Sequence, residues 1–360
     1  MTKRTRLTIL LSCVVCFVVV APYIVLYSMG YRVDFETMKI AATGGIYVRT
    51  FPTADQIIID SKINKTPALF ANSVFVQSLL PKNHTVYVEK DGYYEYNKTL
   101  LVKEKEVTKL ENVLLFKNDI KFETVIDGTK SPFTPSEKFL IKNNNLYYSN
   151  IPENSKITNA QKLVPVLKNL IAFTMQDNNI VWMGTDGFLY KLGSTDFSDD
   201  PIKLNLTPLK VNKKGVYKIT TDGQSIFVND NGTLLLFNSH INNLDTFAQS
   251  VKDVKISPDG KNVVYFINQE IYISLLSDAS NKKTLLYSSP KNIIDCVWLN
   301  NDYIIFNTDN QITISEIDYR GSTNVVNLPQ ASDKIFFNRQ DNKLYILNKN
   351  ILLSSDKLTP

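Results

Sequence analysis

Two series of turns recur at one interval, and nothing else in this chain of 360 residues constrains its fold so tightly. The first series reads TPSE at 134–137, QDNN at 176–179, TDGQ at 221–224, SPDG at 257–260, NND at 300–302 and RQDN at 339–342. The second reads NNN at 143–145, TDG at 185–187, NDNG at 229–232, NQE at 268–270, TDN at 308–310 and NKN at 348–350. Both repeat with a period of roughly forty residues. Apolar runs such as SIFV, VVYF, YIIF and LYIL separate the two turns, and LLLF, IYISLL, ITISEI and ILLS follow the second. Asn, Asp and Gly sit at the turns because tight hairpins require positive φ. A repeat of this length holds about four strands. One such sheet has two apolar faces and cannot bury both alone. Stacking sheets around an axis buries each on the next, and closing the ring removes the exposed ends. Six copies predict a six-bladed β-propeller over residues 120–360, with rings of five or seven blades as the alternatives. The last copy ends at ILLSSDKLTP without an outer strand. KFETVID, at 121–127, lies ahead of the first copy with no other partner, and is expected to supply that strand and close the ring.

The N-terminus carries a different signal. MTKRTR is followed by an apolar stretch, and no charged residue falls between Arg6 and Arg32. A helix of that length rises about 30 Å or more, enough to cross a bilayer core. Residues 7–29 are therefore predicted to form an uncleaved signal anchor, with 1–6 as a cytoplasmic tail, 30–43 as a linker and the bulk of the chain outside. The alternatives are a cleaved signal peptide, which would release the protein, and lipidation at Cys13, the last residue of the sequence LLSC.

Between anchor and repeat lies a third region, 44–117. IYVRT alternates apolar and polar residues, as a half-buried strand does. Pro52 breaks it; QIIID is a second strand, SKIN a hairpin turn, and HTVYVEK a further strand before an Asp-Gly turn. VTKLENVLLF closes a small β-sandwich of five or six strands. Gly45, Pro52, the IIID of 57–60, Thr66-Pro67, Leu80-Pro81, TVYVEK, Gly92-Tyr93 and the leucine-rich last strand together resemble the PEGA domain family. The namesake tetrapeptide reads PTAD here, so only its proline is kept. The resemblance implies a small envelope module without a general catalytic role. The order of helix, GYRVDF and module is similar to membrane-anchored PEGA proteins of bacteria. In the repeat, SPDGKNVVYF resembles the TolB-type propeller repeat, and the other copies share only its spacing and turn chemistry.

Function is less legible. Lys3, Arg4 and Arg6 contribute three of the 40 basic residues, which leaves the remainder nearly balanced against 35 acidic ones. A nucleic-acid surface needs a concentrated basic face, so no nucleic-acid partner is expected. Three cysteines, two of them in the apolar run, build no disulfide framework and no zinc spacing. Two histidines, His84 and His240, offer no catalytic pair; no nucleophile elbow or phosphate-cradling loop is present, and no cofactor is expected. One pattern suggests a site. DVKISPD, DCVWLNN and DKIFFNR place Asp253, Asp295 and Asp333 at one register of three successive repeats, near one rim of the central channel. Converging carboxylates there would bind a cation, an amine or a basic peptide end. The competing reading is that each caps its own loop. The expectation is an all-β, non-enzymatic envelope protein that binds a protein or a cell-wall glycan. The alternative is an anchored propeller enzyme acting on glycans through paired carboxylates.

Overall fold

The computed structural model describes residues 3–67, 71–125, 139–148, 166–176, 179–193, 200–212, 214–222, 224–277, 282–309, 311–349 and 351–359. The expected TPSE turn at 134–137 lies outside the described residues. The chain forms two compact units. One comprises Met1–Ile120 with Asp318–Asn324 and Leu358–Pro360; the other comprises Lys121–Ile317 with Val325–Lys357.

In the first unit, helix α1 (Lys3–Ser28) contains Pro22 without interruption. Its window Thr5–Ser28 has 24 residues, of which 18 in a row reach a mean hydropathy of 2.9 with none buried inside the protein. At 1.5 Å per residue that window is about 36 Å long, so it is long and apolar enough to span a bilayer core. Arg32 holds the end of the helix: its Nη1 donates to the Tyr27 carbonyl at 2.9 Å, and the guanidinium lies 3.5 Å from the Tyr27 ring centroid. A hairpin of β1 (Tyr31–Asp34) and β2 (Lys39–Ala42) follows.

The sandwich strands are β3 (Gly44–Phe51), β4 (Gln56–Ile59), β5 (Ile63–Lys65), β6 (Ser73–Leu79), β7 (Asn83–Glu89), β8 (Tyr96–Leu101) and β9 (Val107–Leu114). They form two sheets, β6-β3-β9 and β5-β4-β7-β8, and β3 runs parallel to β9. Alternation decides the faces. Ile46 and Val48 from one sheet meet Ile57, Ile59, Val86 and Val88 from the other, all buried. Burying each such side chain contributes about 1.5–3 kcal/mol. The SKIN turn forms as expected, with Asp60 and Ser61 at φ of 53° and 56°. Asp318–Asn324 completes this unit: the fully buried Lys98 donates its ammonium to the Asp318 carbonyl at 2.5 Å.

Among the described residues the second unit is a propeller of six sheets. Its strands are β10 (Phe122–Thr124), β11 (Phe139–Lys142), β12 (Asn145–Tyr148), β13 (Leu167–Lys168), β14 (Leu170–Gln176), β15 (Asn179–Gly184), β16 (Leu189–Leu192), β17 (Ile202–Lys203), β18 (Tyr217–Thr221), β19 (Ile226–Asp230) and β20 (Thr233–Asn238). They continue with β21 (Asn243–Ala248), β22 (Asp253–Ile256), β23 (Asn262–Ile267), β24 (Glu270–Leu275), β25 (Lys283–Ser288), β26 (Ile293–Trp298), β27 (Tyr303–Thr308), β28 (Gln311–Glu316), β29 (Val325–Leu328), β30 (Lys334–Asn338), β31 (Lys343–Asn348) and β32 (Ile351–Lys357). Each run of four from β14 to β29 is one antiparallel meander, and β11–β13 form a sheet among the described residues. The innermost strands β14, β18, β22, β26 and β30 neighbour one another in that order.

The apolar runs of the second strands are continuous because both faces are covered. Phe227 packs with Val263 and Tyr265 of the next sheet, whereas its neighbour Val228 packs with Ala172 and Val181 of the previous one. Val264 and Phe266 in turn meet Cys296, Trp298 and Ile304. Closure follows the expected route. β10 pairs antiparallel with β32, matching Phe122 with Ser355 and Thr124 with Leu353, so the segment that enters the domain completes its last sheet.

Candidate functional site

Hydrogen-bond register places four charged residues at one level of four successive inner strands. Lys218 lies opposite Asn229, Asp253 opposite Phe266, Asp295 opposite Asn307, and Lys334 opposite Leu347. Each partner is the penultimate residue of its second strand, β19, β23, β27 or β31. Asp253 and Asp295 therefore share the level expected of them. Asp333 does not. It stands one residue ahead of Lys334, and a one-residue step in a strand carries the side chain to the other face. Its Oδ2 instead accepts the Lys349 backbone N–H at 2.9 Å, as a loop-capping Asp does.

The two aspartates have opposite electrostatics. Asp253 is held by Lys218 Nζ at 2.6 Å and Lys255 Nζ at 3.0 Å. Burial opposes its ionisation, but Lys255 and Lys218 outweigh burial and keep its carboxyl below the usual range. Asp295 accepts the Cys296 backbone N–H at 2.8 Å. Burial pushes its carboxyl up, and the charge of Asp253 adds to this against the pull of Lys255. Burial likewise raises the Cys296 thiol, which is enclosed and inert. The girdle thus mixes lysines with aspartates, Asp253 being ion-paired to Lys218 and Lys255, and is not a ring of free carboxylates.

A cavity of about 870 Å³ opens at the other end of these inner strands, where the first turns cluster. Asp222, Lys255, Asp259, Trp298, Phe336 and Arg339 are among the residues that line it. Its volume is in the range of ligand pockets. Both turn acids are engaged. Asp222 Oδ1 accepts the backbone N–H groups of Gln224 and Ser225 at 2.9 and 2.6 Å. Asp259 Oδ1 accepts the Ser257 hydroxyl at 2.7 Å and the Lys261 N–H at 3.2 Å. Trp298 is buried, and its indole N–H donates to the Lys255 carbonyl at 3.0 Å. Phe336 is exposed, and burial alone pulls the Arg339 guanidinium down. Among the described residues Arg339 has no hydrogen-bonded or ion-paired partner, and none of them forms a group of three or more His, Cys, Asp or Glu placed to hold a metal ion. Sequence reading missed Arg339 and Phe336. The signal was present: RQDN is the one first turn of the series that begins with a basic residue.

Apolar helix, sandwich and propeller define the class: an all-β protein with an N-terminal apolar helix long enough to cross a membrane. Residues 43–115 match the PEGA domain family. Among curated proteins none matches the chain. The chain is similar to the structure of YCF48 bound to D1 peptide, with 12% identity, 86% of this chain and 94% of that one covered, and a TM-score of 0.39. It is also similar to the Cps50 (Swd1) β-propeller domain of Myceliophteria thermophila, at 10% identity, 50% and 68% coverage, and a TM-score of 0.37. A nidogen/laminin complex matches at 11% identity, 59% and 86% coverage, and a TM-score of 0.36. The sheet order above, rather than these likenesses, defines the propeller.

Proposed function

We propose that this is a non-catalytic binding protein of a bacterial cell envelope, anchored by α1 with its N-terminus in the cytoplasm and presenting the propeller mouth to a protein partner outside the membrane. Lys3, Arg4 and Arg6, at the start of α1 and ahead of its apolar stretch, support that orientation. The observation that carries the reading is the open cavity of about 870 Å³ in which both turn acids are held by hydrogen bonds from their own turns. Glycoside hydrolysis needs two carboxylates facing the substrate, about 5–9 Å apart and free to titrate. Asp222 and Asp259 are committed to turn geometry, and Asp253 is neutralised by two lysines. Arg339 and Gln340, exposed in the cavity lining, are suited to recognition.

The test uses the full chain in detergent micelles. It is screened for hydrolysis of a glycan panel and for proteins captured by photo-crosslinking in intact cells through a photoreactive residue at Gln340, beside the cavity. Crosslinks to an envelope protein without glycan turnover are expected. Turnover, or crosslinks confined to glycan, would overturn the reading.

A further inference from the structure

Among the described residues, the turn between β1 and β2 carries the two most exposed large apolar side chains outside α1. Phe35 is 82% exposed and Met38 78%, and Ile40 is exposed after them on β2. Met38 has a φ of 54°, and among the described residues no other apolar side chain sits at positive φ. The propeller fills such positions with asparagine, as at Asn143, Asn231 and Asn268. The left-handed region disfavours a long apolar side chain, so turn formation by itself does not select methionine here. The polar side chains of the same turn are engaged. Asp34 accepts the Glu36 N–H at 3.0 Å and the Thr37 hydroxyl at 2.8 Å, and Glu36 pairs with Lys82 at 2.8 Å. Phe35 and Met38 are what the turn leaves uncovered.

The hairpin is held from both sides. Arg32 donates to the Tyr27 carbonyl at the end of α1 and, at 3.2 Å, to the Ser78 hydroxyl. The Thr43 N–H donates to the Gly30 carbonyl at 2.9 Å, and the Thr43 carbonyl accepts the Lys105 N–H at 3.1 Å. Ser78, Lys82 and Lys105 belong to one end of the sandwich, the end where Gly44 pairs with Leu79, Gly45 with Val107 and Asn83 with Leu101. The hairpin therefore lies between that end of the sandwich and the end of α1. A span of about 36 Å exceeds a hydrocarbon core of about 30 Å by a few ångströms, which sets the last turn of α1 in the headgroup layer. Tyr23 and Tyr27, with ring centroids 6.2 Å apart, mark that level, where aromatic residues concentrate. The hairpin opens at Tyr31, immediately beyond it. We infer that the β1–β2 hairpin is a second membrane contact, with Phe35 and Met38 seated in the interfacial layer of the leaflet at the C-terminal end of α1. The inference rests on the reading of α1 as a membrane span. Continuity decides the occupant: the apolar surface of α1 runs on through the exposed Met29 to the hairpin, so the lipid around one meets the other. Two contacts rather than one would hold the sandwich at a fixed tilt to the bilayer instead of leaving it to swing about the helix end.

Tryptophan fluorescence of the full chain in phosphatidylcholine nanodiscs tests this. The discs contain lipid brominated either just below the carbonyl or near the end of the acyl chain. Phe35→Trp probes the hairpin, Tyr23→Trp the helix, and Asp91→Trp the turn at the opposite end of the sandwich. Trp182 and Trp298 are buried, and the unsubstituted chain supplies their background. Unchanged thermal denaturation checks that each variant folds. Phe35→Trp is expected to emit to the blue of Asp91→Trp and to be quenched more by the shallow bromines than by the deep ones. Tyr23→Trp should be quenched as well, and Asp91→Trp should not. Tyr23→Trp quenched with Phe35→Trp unquenched would overturn the inference and leave the span standing. A blue shift at Phe35→Trp without quenching, the sign of burial against protein, would do the same, as would equal quenching at Asp91→Trp. Absence of quenching at both Tyr23→Trp and Phe35→Trp would overturn the span and the hairpin contact together.

Discussion

Replacing Asp253 and Asp295 singly with Asn should move stability in opposite directions at neutral pH. Both residues lie at one level of adjacent inner strands, and their surroundings differ. Asp253 receives Lys218 at 2.6 Å and Lys255 at 3.0 Å, with only 14% of its side chain exposed. Its folded pKa is depressed, so its contribution is present above the unfolded value near 3.9 and is lost as pH falls through the folded value. Asp253→Asn removes two charge-assisted bonds. Lys218 is 52% exposed and returns to water at little cost, which discounts its half of the pair. A loss of about 1–3 kcal/mol follows. For a domain of this size that lowers Tm by about 2–12 °C. Asp295 has the reverse linkage. Its folded pKa is raised, so the stability it contributes is complete at low pH and falls as pH rises through the folded value. Asp295→Asn should therefore raise Tm near neutral pH. The Asp295 difference should vanish as pH falls below the unfolded value near 3.9, whereas the Asp253 difference should vanish only lower, as pH falls through its depressed folded value. Near-UV circular dichroism of the full chain in detergent, melted at several pH values, measures this. Two shifts of the same sign at neutral pH, or no loss with Asp253→Asn, would refute the charged girdle.

Two further substitutions probe local geometry in each unit. His84 is buried, with Nδ1 bonded to Asp60 Oδ2 at 2.6 Å and Nε2 to the Leu80 carbonyl at 2.7 Å; His84→Ala should cost about 2–4 kcal/mol in urea denaturation, leaving both acceptors short of a donor. Gly187 has a φ of 84°, and a Cβ built there would lie 2.0 Å from the Leu209 carbonyl oxygen; Gly187→Ala should destabilise the propeller by about 1–3 kcal/mol in thermal melts, whereas Gly92→Ala, with open space around its Cβ, should cost less.

What the sequence revealed and what it hid follow from the range of the forces involved. The apolar helix, the repeat period and the sandwich are patterns of local burial, readable from alternation and turn residues. Even the closing strand was legible, because a sheet short of one strand and a strand without a sheet imply each other. Register was not. The hairpins joining first and second strands differ in length: Ile256 pairs with Val263, Trp298 with Ile304 and Asn338 with Lys343. A bulge between Ile293 and Asp295 adds a further offset. Aligning on the turns therefore placed Asp333 where Lys334 stands. Among the described residues the sandwich has seven strands where five or six were expected: β5 has too few residues for alternation to show, and β6 was not singled out. The lysines that neutralise Asp253 come from its own strand and the preceding sheet, a juxtaposition that only the ring creates.

Closure of the propeller by its own entry segment is the feature on which the account most depends, and one cysteine pair tests it directly. Thr124 and Leu353 face each other in the β10–β32 pairing, between the hydrogen bond of Val125 N–H to the Leu352 carbonyl and that of Asp356 N–H to the Lys121 carbonyl. Directly opposed Cα atoms in such a non-hydrogen-bonded pair lie about 4.5 Å apart, within reach of a disulfide. Thr124→Cys with Leu353→Cys should form an intramolecular disulfide under mild oxidation, identified by mass spectrometry of the digested protein, and should raise Tm. Failure to link, with Thr124→Cys joining instead to a cysteine at the offset position of Ser354→Cys or to another molecule, would contradict a ring closed in this register.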